Sequence, residues 1–163
     1  MNELRAGLER VQLAIFDFDG VFTDNRVWVN EQGQEMLAFS RSDGLGLRRL
    51  EEVGVRPLIV SMERNQIVGA RAEKLGIDCV QGVDDKLSLL QERSHAYNVA
   101  LEDTAYLGND INDADCLRVV GMPVVPADAW PEVVQLARWV LSRAGGTGCV
   151  REFCDAVWEA QRS

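Results

Sequence analysis

Short apolar runs of strand length recur along the chain, at 13–16 (LAIF), 57–60 (PLIV), 79–81 (CVQ), 105–107 (AYL) and 123–125 (PVV). Each is followed by a stretch with helical spacing: 44–52, carrying Leu45, Leu47 and Leu50, then 65–75, 86–96 and 114–119. Runs this short and this apolar suit strands covered on both faces, whereas a 3.6-residue period suits a helix with one buried stripe. Regular alternation of the two predicts α/β architecture, a three-layer Rossmann-like parallel sheet with helices on both faces. Gly54, Gly76 and Gly121 stand just past three of the predicted helices, where a left-handed cap residue is favoured.

Two segments depart from the alternation. Within 26–39, VWVNEQGQEMLAF reads as two alternating runs around a polar, Gly-containing turn, hence a small β-hairpin flap projecting from the sheet. After Arg138 the chain enters a Gly-rich turn, AGGTGC, and then an amphipathic helix at about 150–160, giving a helical tail over 147–161. Trp139, Phe153 and Trp158 there read as packing residues, in part at a subunit contact. With no repeat, linker or low-complexity segment, 1–163 reads as one domain.

Composition changes this picture little. Hydrophobic residues are 47% and charged residues 26%, which suits a folded globular chain and excludes the disordered and collagenous classes. No apolar run approaches ~18 residues and the start lacks a secretory pattern, so no membrane span is expected and the cytoplasm is the expected compartment. Cys79, Cys116, Cys149 and Cys154 show no metal-finger spacing and read as reduced thiols. A net charge of −9 counts against nucleic acid and anionic membrane as partners. An anionic substrate stays compatible with that charge if a bound divalent cation sets the local potential.

In an open α/β sheet the ligand site lies at the carboxyl ends of the strands. Residues there are Asp17-Phe18-Asp19-Gly20-Val21-Phe22-Thr23-Asp24, then Ser61-Met62-Glu63, Asp85-Lys86, and Gly108-Asn109-Asp110-Ile111-Asn112-Asp113. A strand running into DxDGxxTD resembles motif I of the haloacid dehalogenase superfamily, and the other three segments match its motifs II to IV in order and spacing. A lone DxD is common in acidic loops; four ordered matches at strand ends are specific.

The resemblance implies a phosphatase chemistry. Phosphoryl transfer needs an in-line nucleophile, neutralised equatorial oxygens and a proton for the leaving alkoxide. Asp17 would attack phosphorus and form an aspartyl-phosphate, while Asp19 would serve as general acid and then general base. Ser61 would donate to a phosphoryl oxygen, and Lys86, oriented by Asp113, would place positive charge on the same group. Mg²⁺ would be held by Asp17 and the backbone carbonyl of Asp19. Motif IV should add a carboxylate directly after its Gly, but this chain has Asn109 there, with Asp110 next; either could complete the metal site.

FSRSDGLG (39–46), RAEKLGI (71–77), QGVDDK (81–86), PADAWPEV (126–133) and GGTGCVREFCD (145–155) resemble the branch without a cap domain. That branch includes KDO 8-phosphate phosphatases and the phosphatase-like C-terminal domains of acylneuraminate cytidylyltransferases. It implies a homotetramer built around the hairpins, a neighbouring subunit closing the pocket, and a phosphorylated sugar acid as substrate. Motif II continues here as Met62-Glu63-Arg64-Asn65, like the nonulosonate relatives, whose pattern pairs a Glu with a Lys eleven positions on, here Glu63 and Lys74. This favours a nine-carbon sugar-acid 9-phosphate (KDN or sialic acid) over KDO 8-phosphate; an ordinary pair of surface residues is the alternative. Arg151 would lie on a segment reaching a site, or pair with Glu152 or Asp155 at a helix N-terminus. Two rivals are a tetramerisation module with weakened catalysis, toward which Asn109 is a step, and a phospho-acceptor signalling domain, which would not need Asp19.

Overall fold

The computed structural model describes residues 2–162. Its main sheet has six strands, all parallel: β1 (Leu13–Phe16), β4 (Arg56–Val60), β5 (Asp78–Val80), β6 (Thr104–Leu107), β7 (Met122–Val125) and β8 (Trp139–Val140), in the order β5-β4-β1-β6-β7-β8. β1 is buried at all four positions, as the unbroken apolar run LAIF requires of a central strand.

Alternate strand residues enter two cores. Ala14, Phe16 and Leu107 face one layer, formed by α1 (Asn2–Arg10), α2 (Ser42–Glu52), α3 (Gln66–Leu75) and α7 (Cys149–Arg162). Leu13, Ile15 and Tyr106 face the other, formed by α4 (Lys86–Tyr97), α5 (Ala114–Val119) and α6 (Pro131–Val134). The three-layer parallel α/β fold is therefore as the sequence pattern predicts, and no cap domain is present among the described residues.

The flap is shorter than the pattern 26–39 suggests. Only β2 (Trp28–Val29) and β3 (Glu35–Met36) pair, antiparallel, with Trp28 opposite Met36. Helix α1 and the edge strand β8 escape the sequence reading, because α1 carries few apolar positions and β8 is two residues long. Gly54 and Gly76 take positive φ values of 77° and 73°, as expected past α2 and α3. Gly121 does not; it is glycine because a Cβ would stand 2.0 Å from the Glu102 carbonyl oxygen. The four cysteines are free, and among the described residues no helix is long and apolar enough to cross a membrane.

Candidate active site

The strand order reverses at β1: the chain goes from β1 outward to β4 and β5, then returns to place β6 on β1's other side. Such a switch point opens a crevice at the carboxyl ends of the strands. Asp17 is the first residue beyond β1, and its N–H donates to Leu107 O at 2.9 Å, which prolongs the β1–β6 ladder by one residue and fixes the carboxyl group. The Phe18 N–H donates to Asp17 Oδ1 at 2.8 Å.

Lys86, the first residue of α4, reaches this point with Nζ 2.8 Å from Asp17 Oδ1 and 2.8 Å from Asp113 Oδ1. All three groups are nearly excluded from water, at 4% exposure for Lys86, 5% for Asp17 and 0% for Asp113. Asp113 also accepts from Tyr106 OH at 2.8 Å and from the Asn109 and Asp110 N–H groups at 2.9 and 3.3 Å. With its lone pairs taken on both oxygens, Asp113 fastens the lysine, the strand end of β6 and the turn after it into one unit.

Two carboxylates and one ammonium leave one negative charge unmatched. Burial, and next the charge of Asp113, push the Asp17 carboxyl up to about 8, against the pull of Lys86. Burial opposes the charge on Lys86, but the carboxylates of Asp17 and Asp113 outweigh it and hold the ammonium above its ordinary value. These directions conflict, since a charged Lys86 calls for ionised partners. The geometry favours Asp113, with its four donors, as the group that keeps Lys86 charged; Asp17 is the carboxyl lacking a full counter-charge.

A 280 Å³ cleft opens over Asp17, lined also by Asp19, Asn25, Ser61, Met62, Glu63, Asn109, Asp110 and Asn112. Asp19 is half-buried; burial and then the charge of Glu63 raise its pKa, while the Thr23 hydroxyl, donating to Asp19 Oδ1 at 3.4 Å, pulls it down. A raised carboxyl is the right sense for a proton donor. Ser61, at the end of β4, is buried, and its Oγ accepts from the Glu63 N–H at 3.1 Å.

Every group that could hold a cation here offers oxygen. Among the described residues no three His, Cys, Asp or Glu side chains converge as a metal cluster. A magnesium site using one carboxylate, a backbone carbonyl and an amide requires none. Asn109 is 6% exposed and its amide makes no hydrogen bond to the described residues. Asp110 Oδ1 is engaged, capping the short 3₁₀ turn Ile111–Asp113 through the Ile111 N–H at 2.7 Å. The donor set fits a hard divalent cation, with the Asn109 amide and the second oxygen of Asp110 both open to one.

Residues 62–152 match the family model described as haloacid dehalogenase-like hydrolase. Over 98% of its length the chain is 34% identical to 3-deoxy-D-manno-octulosonate 8-phosphate phosphatase of Escherichia coli, covering 85% of that protein. The chain belongs to this hydrolase family. Two solved structures of the haloacid dehalogenase family superpose over 99% of the chain, both of 3-deoxy-D-manno-octulosonate 8-phosphate phosphatases. The Yersinia pestis protein is 34% identical with a TM-score of 0.95 over 88% of its chain. The Moraxella catarrhalis protein, solved with magnesium, phosphate and KDO, is 31% identical with a TM-score of 0.95 over 94% of its chain.

Of the residues singled out in the sequence, Asp17, Asp19, Ser61, Glu63, Asn109 and Asp110 line the cleft, with Lys86 and Asp113 directly beneath. Lys74 is exposed in the last turn of α3 and does not line this cleft. Arg151 lies on α7, its Nε 2.6 Å from Asp155 Oδ1, in a groove with Ser42 and Trp139 rather than in the cleft. The sequence reading missed Tyr106, whose hydroxyl is spent on Asp113; the signal was a lone tyrosine in an otherwise aliphatic strand. It also missed Asn25, which lines the cleft with a φ of 63°, a conformation asparagine tolerates better than most residues.

Proposed function

We propose that the chain is a magnesium-dependent phosphomonoesterase acting on a phosphorylated sugar acid. The buried Asp17–Lys86–Asp113 cluster at the switch point, with Asp19 two residues on, carries the reading. Asp17 attacks phosphorus in line, the bond from phosphorus to the sugar oxygen breaks, and an aspartyl-phosphate forms. Asp19 gives its proton to the departing alkoxide, then takes one from the water that releases phosphate. Ser61 donates to a phosphoryl oxygen, and Lys86 both neutralises the transferring group and is kept in place by Asp113. Magnesium, held by Asp17, the Asp19 backbone carbonyl and the Asn109 amide oxygen, would offset charge on the phosphoryl oxygens.

A nine-carbon sugar-acid 9-phosphate is the favoured substrate, because Glu63 stands in the cleft where a polyol would meet it. KDO 8-phosphate is the second reading, favoured by the names of the relatives. The flap exposes Val27, Trp28, Val29 and Met36, with Trp28 70% exposed, which supports a homotetramer assembled through the hairpins. Such an assembly would also bring Lys74 or Arg151 of a neighbour toward the cleft. Free thiols suit the cytoplasm.

Phosphate release with Mg²⁺ tests the reading, comparing KDO 8-phosphate with the 9-phosphates of KDN and sialic acid. Preference for a nine-carbon ester supports the Glu63 argument, and preference for KDO 8-phosphate overturns it. If the folded protein cleaves none of them, Asn109 has weakened the metal site and the tetramerisation module becomes the better reading.

A further inference from the structure

The loop Gly20–Asp24 carries Asp19 at one end and leads into the flap at the other, yet its main chain is fastened by residues more than a hundred positions later. The Gly146 N–H donates to Val21 O at 2.9 Å, and the wholly buried Cys149 thiol donates to the same carbonyl at 3.2 Å. Gly145 lies so close that a Cβ on it would stand 2.1 Å from Gly20 O and 2.8 Å from Thr23 O. Gly146 has a φ of +69°, and a Cβ there would meet Asp24 N at 2.6 Å. Only glycine permits this approach at either position.

Gly20 is held from its other side as well. Its own missing Cβ would fall 2.0 Å from Asn109 Nδ2, so the residue next to Asp19 is gripped between Asn109 and Gly145. The grip reaches the Asp19 carboxyl directly through Thr23, whose Oγ1 donates to Asp19 Oδ1 and accepts from the Gly20 and Asn25 N–H groups, both at 3.1 Å. Gly145 is itself pinned from outside, since its N–H donates to Asp128 Oδ1 at 2.9 Å. Asp128 is an exposed residue in the turn before α6 and does not itself line the cleft.

We propose that the segment 145–149 sets the position of Asp19 and that Asp128 is a positioning residue for the reaction, acting through Gly145 and the Gly20 carbonyl. The proposal rests on the phosphatase reading for its effect on turnover. A proton donor works only within hydrogen-bond reach of the leaving oxygen, and displacements of about 1 Å originating far from the chemistry cost up to ~100-fold. An exposed aspartate without such a role would leave turnover and loop dynamics unchanged.

The test compares Asp128→Ala with Asp128→Asn, because the asparagine keeps an oxygen that can accept from Gly145. Asp128→Ala is expected to lower kcat about tenfold with little change in KM. Its backbone amides at 18–25 should exchange with solvent faster than in the parent protein. Asp128→Asn should restore most of both. Unchanged kcat and exchange in Asp128→Ala overturn the proposal, and so does equal impairment of the two variants, which would make charge rather than the hydrogen bond responsible. If the parent protein cleaves no phosphate ester, the phosphatase reading fails, and the exchange comparison still decides whether Asp128 positions the loop.

Discussion

The buried end of β1 and the exposed flap solve opposite problems. At the end of β1, three ionisable groups sit almost without water, each oriented by at least one hydrogen bond, beside a strand buried at all four positions. In the flap, two residue pairs make the whole ladder, and Trp28, Val29 and Met36 face solvent. Chemistry that depends on a fixed charge pattern is thus built into one protomer. On the proposed reading, the covering of the cleft falls to a short element whose exposed apolar face would pack on a neighbouring subunit. A superfamily scaffold can keep its reaction and change its substrate by altering the second region alone.

The comparison breaks first at Asp17. Asp17→Asn removes the proposed nucleophile and should lower phosphate release at least ~10⁴-fold while the protein stays folded, read by turnover and thermal melting. Substantial retained activity would sink the covalent route. The same substitution carries a pH signature. A carboxyl whose folded value lies near 8, against an unfolded 3.8, withdraws stability as pH rises between those values. Metal-free parent protein should therefore melt lower at pH 8 than at pH 5, added Mg²⁺ should narrow the gap, and Asp17→Asn should reduce it to the part that Asp43 contributes.

Lys86→Ala comes next. It removes the buried cation that Asp17 and Asp113 share, at a cost of about 3–5 kcal/mol, and on the proposed mechanism deprives the phosphoryl group of positive charge, for a loss of ~10²–10³-fold. Denaturant unfolding with kinetics on the folded fraction separates the two effects. Wild-type stability would mean that the lysine is not needed to hold the buried cluster together.

The flap should respond in the reverse sense. Trp28→Ser with Met36→Ser leaves every core residue in place, so the protomer's fold should survive. Oligomer mass should fall, and kcat/KM should drop about ten- to a hundredfold because the cleft loses its cover. A tetramer that persists in light scattering would show that the flap is not the assembly surface.

Much of this was readable from residue order. LAIF, PLIV and AYL predicted buried parallel strands because burial on both faces leaves no room for polar alternation, and the carboxylates at their ends followed from topology. Asp17, Lys86 and Asp113 are 69 and 27 positions apart along the chain, yet each sits at a strand or helix end, so element boundaries alone brought them together. What escaped depends on distances that no spacing encodes. Tyr106 looks like another core residue until its hydroxyl meets Asp113. Lys74 stands eleven positions past Glu63, exposed on α3, and does not line the protomer's own cleft. The use of one Asp110 oxygen as a helix cap is a local choice between two adjacent polar residues.

The smallest effect on turnover belongs to a third buried carboxyl, which sharpens the comparison by lacking a lysine. Asp43 is wholly buried in the first turn of α2; Oδ1 accepts from the Arg151 N–H at 3.3 Å, and Oδ2 has no partner. Burial pushes its carboxyl up to about 6, only partly offset by the Arg151 hydrogen bond and the charge of Arg71. Its contribution to stability is full below an unfolded value of 3.8 and is lost as pH rises through 6, a loss on the order of 1–3 kcal/mol. Asp43→Asn keeps an acceptor for Arg151 and removes the ionisation, so it should raise the melting temperature at pH 7.5, change it little at pH 4, and leave kcat untouched. A variant less stable than the parent at pH 7.5 would show that the ionised carboxylate itself binds α2 to α7.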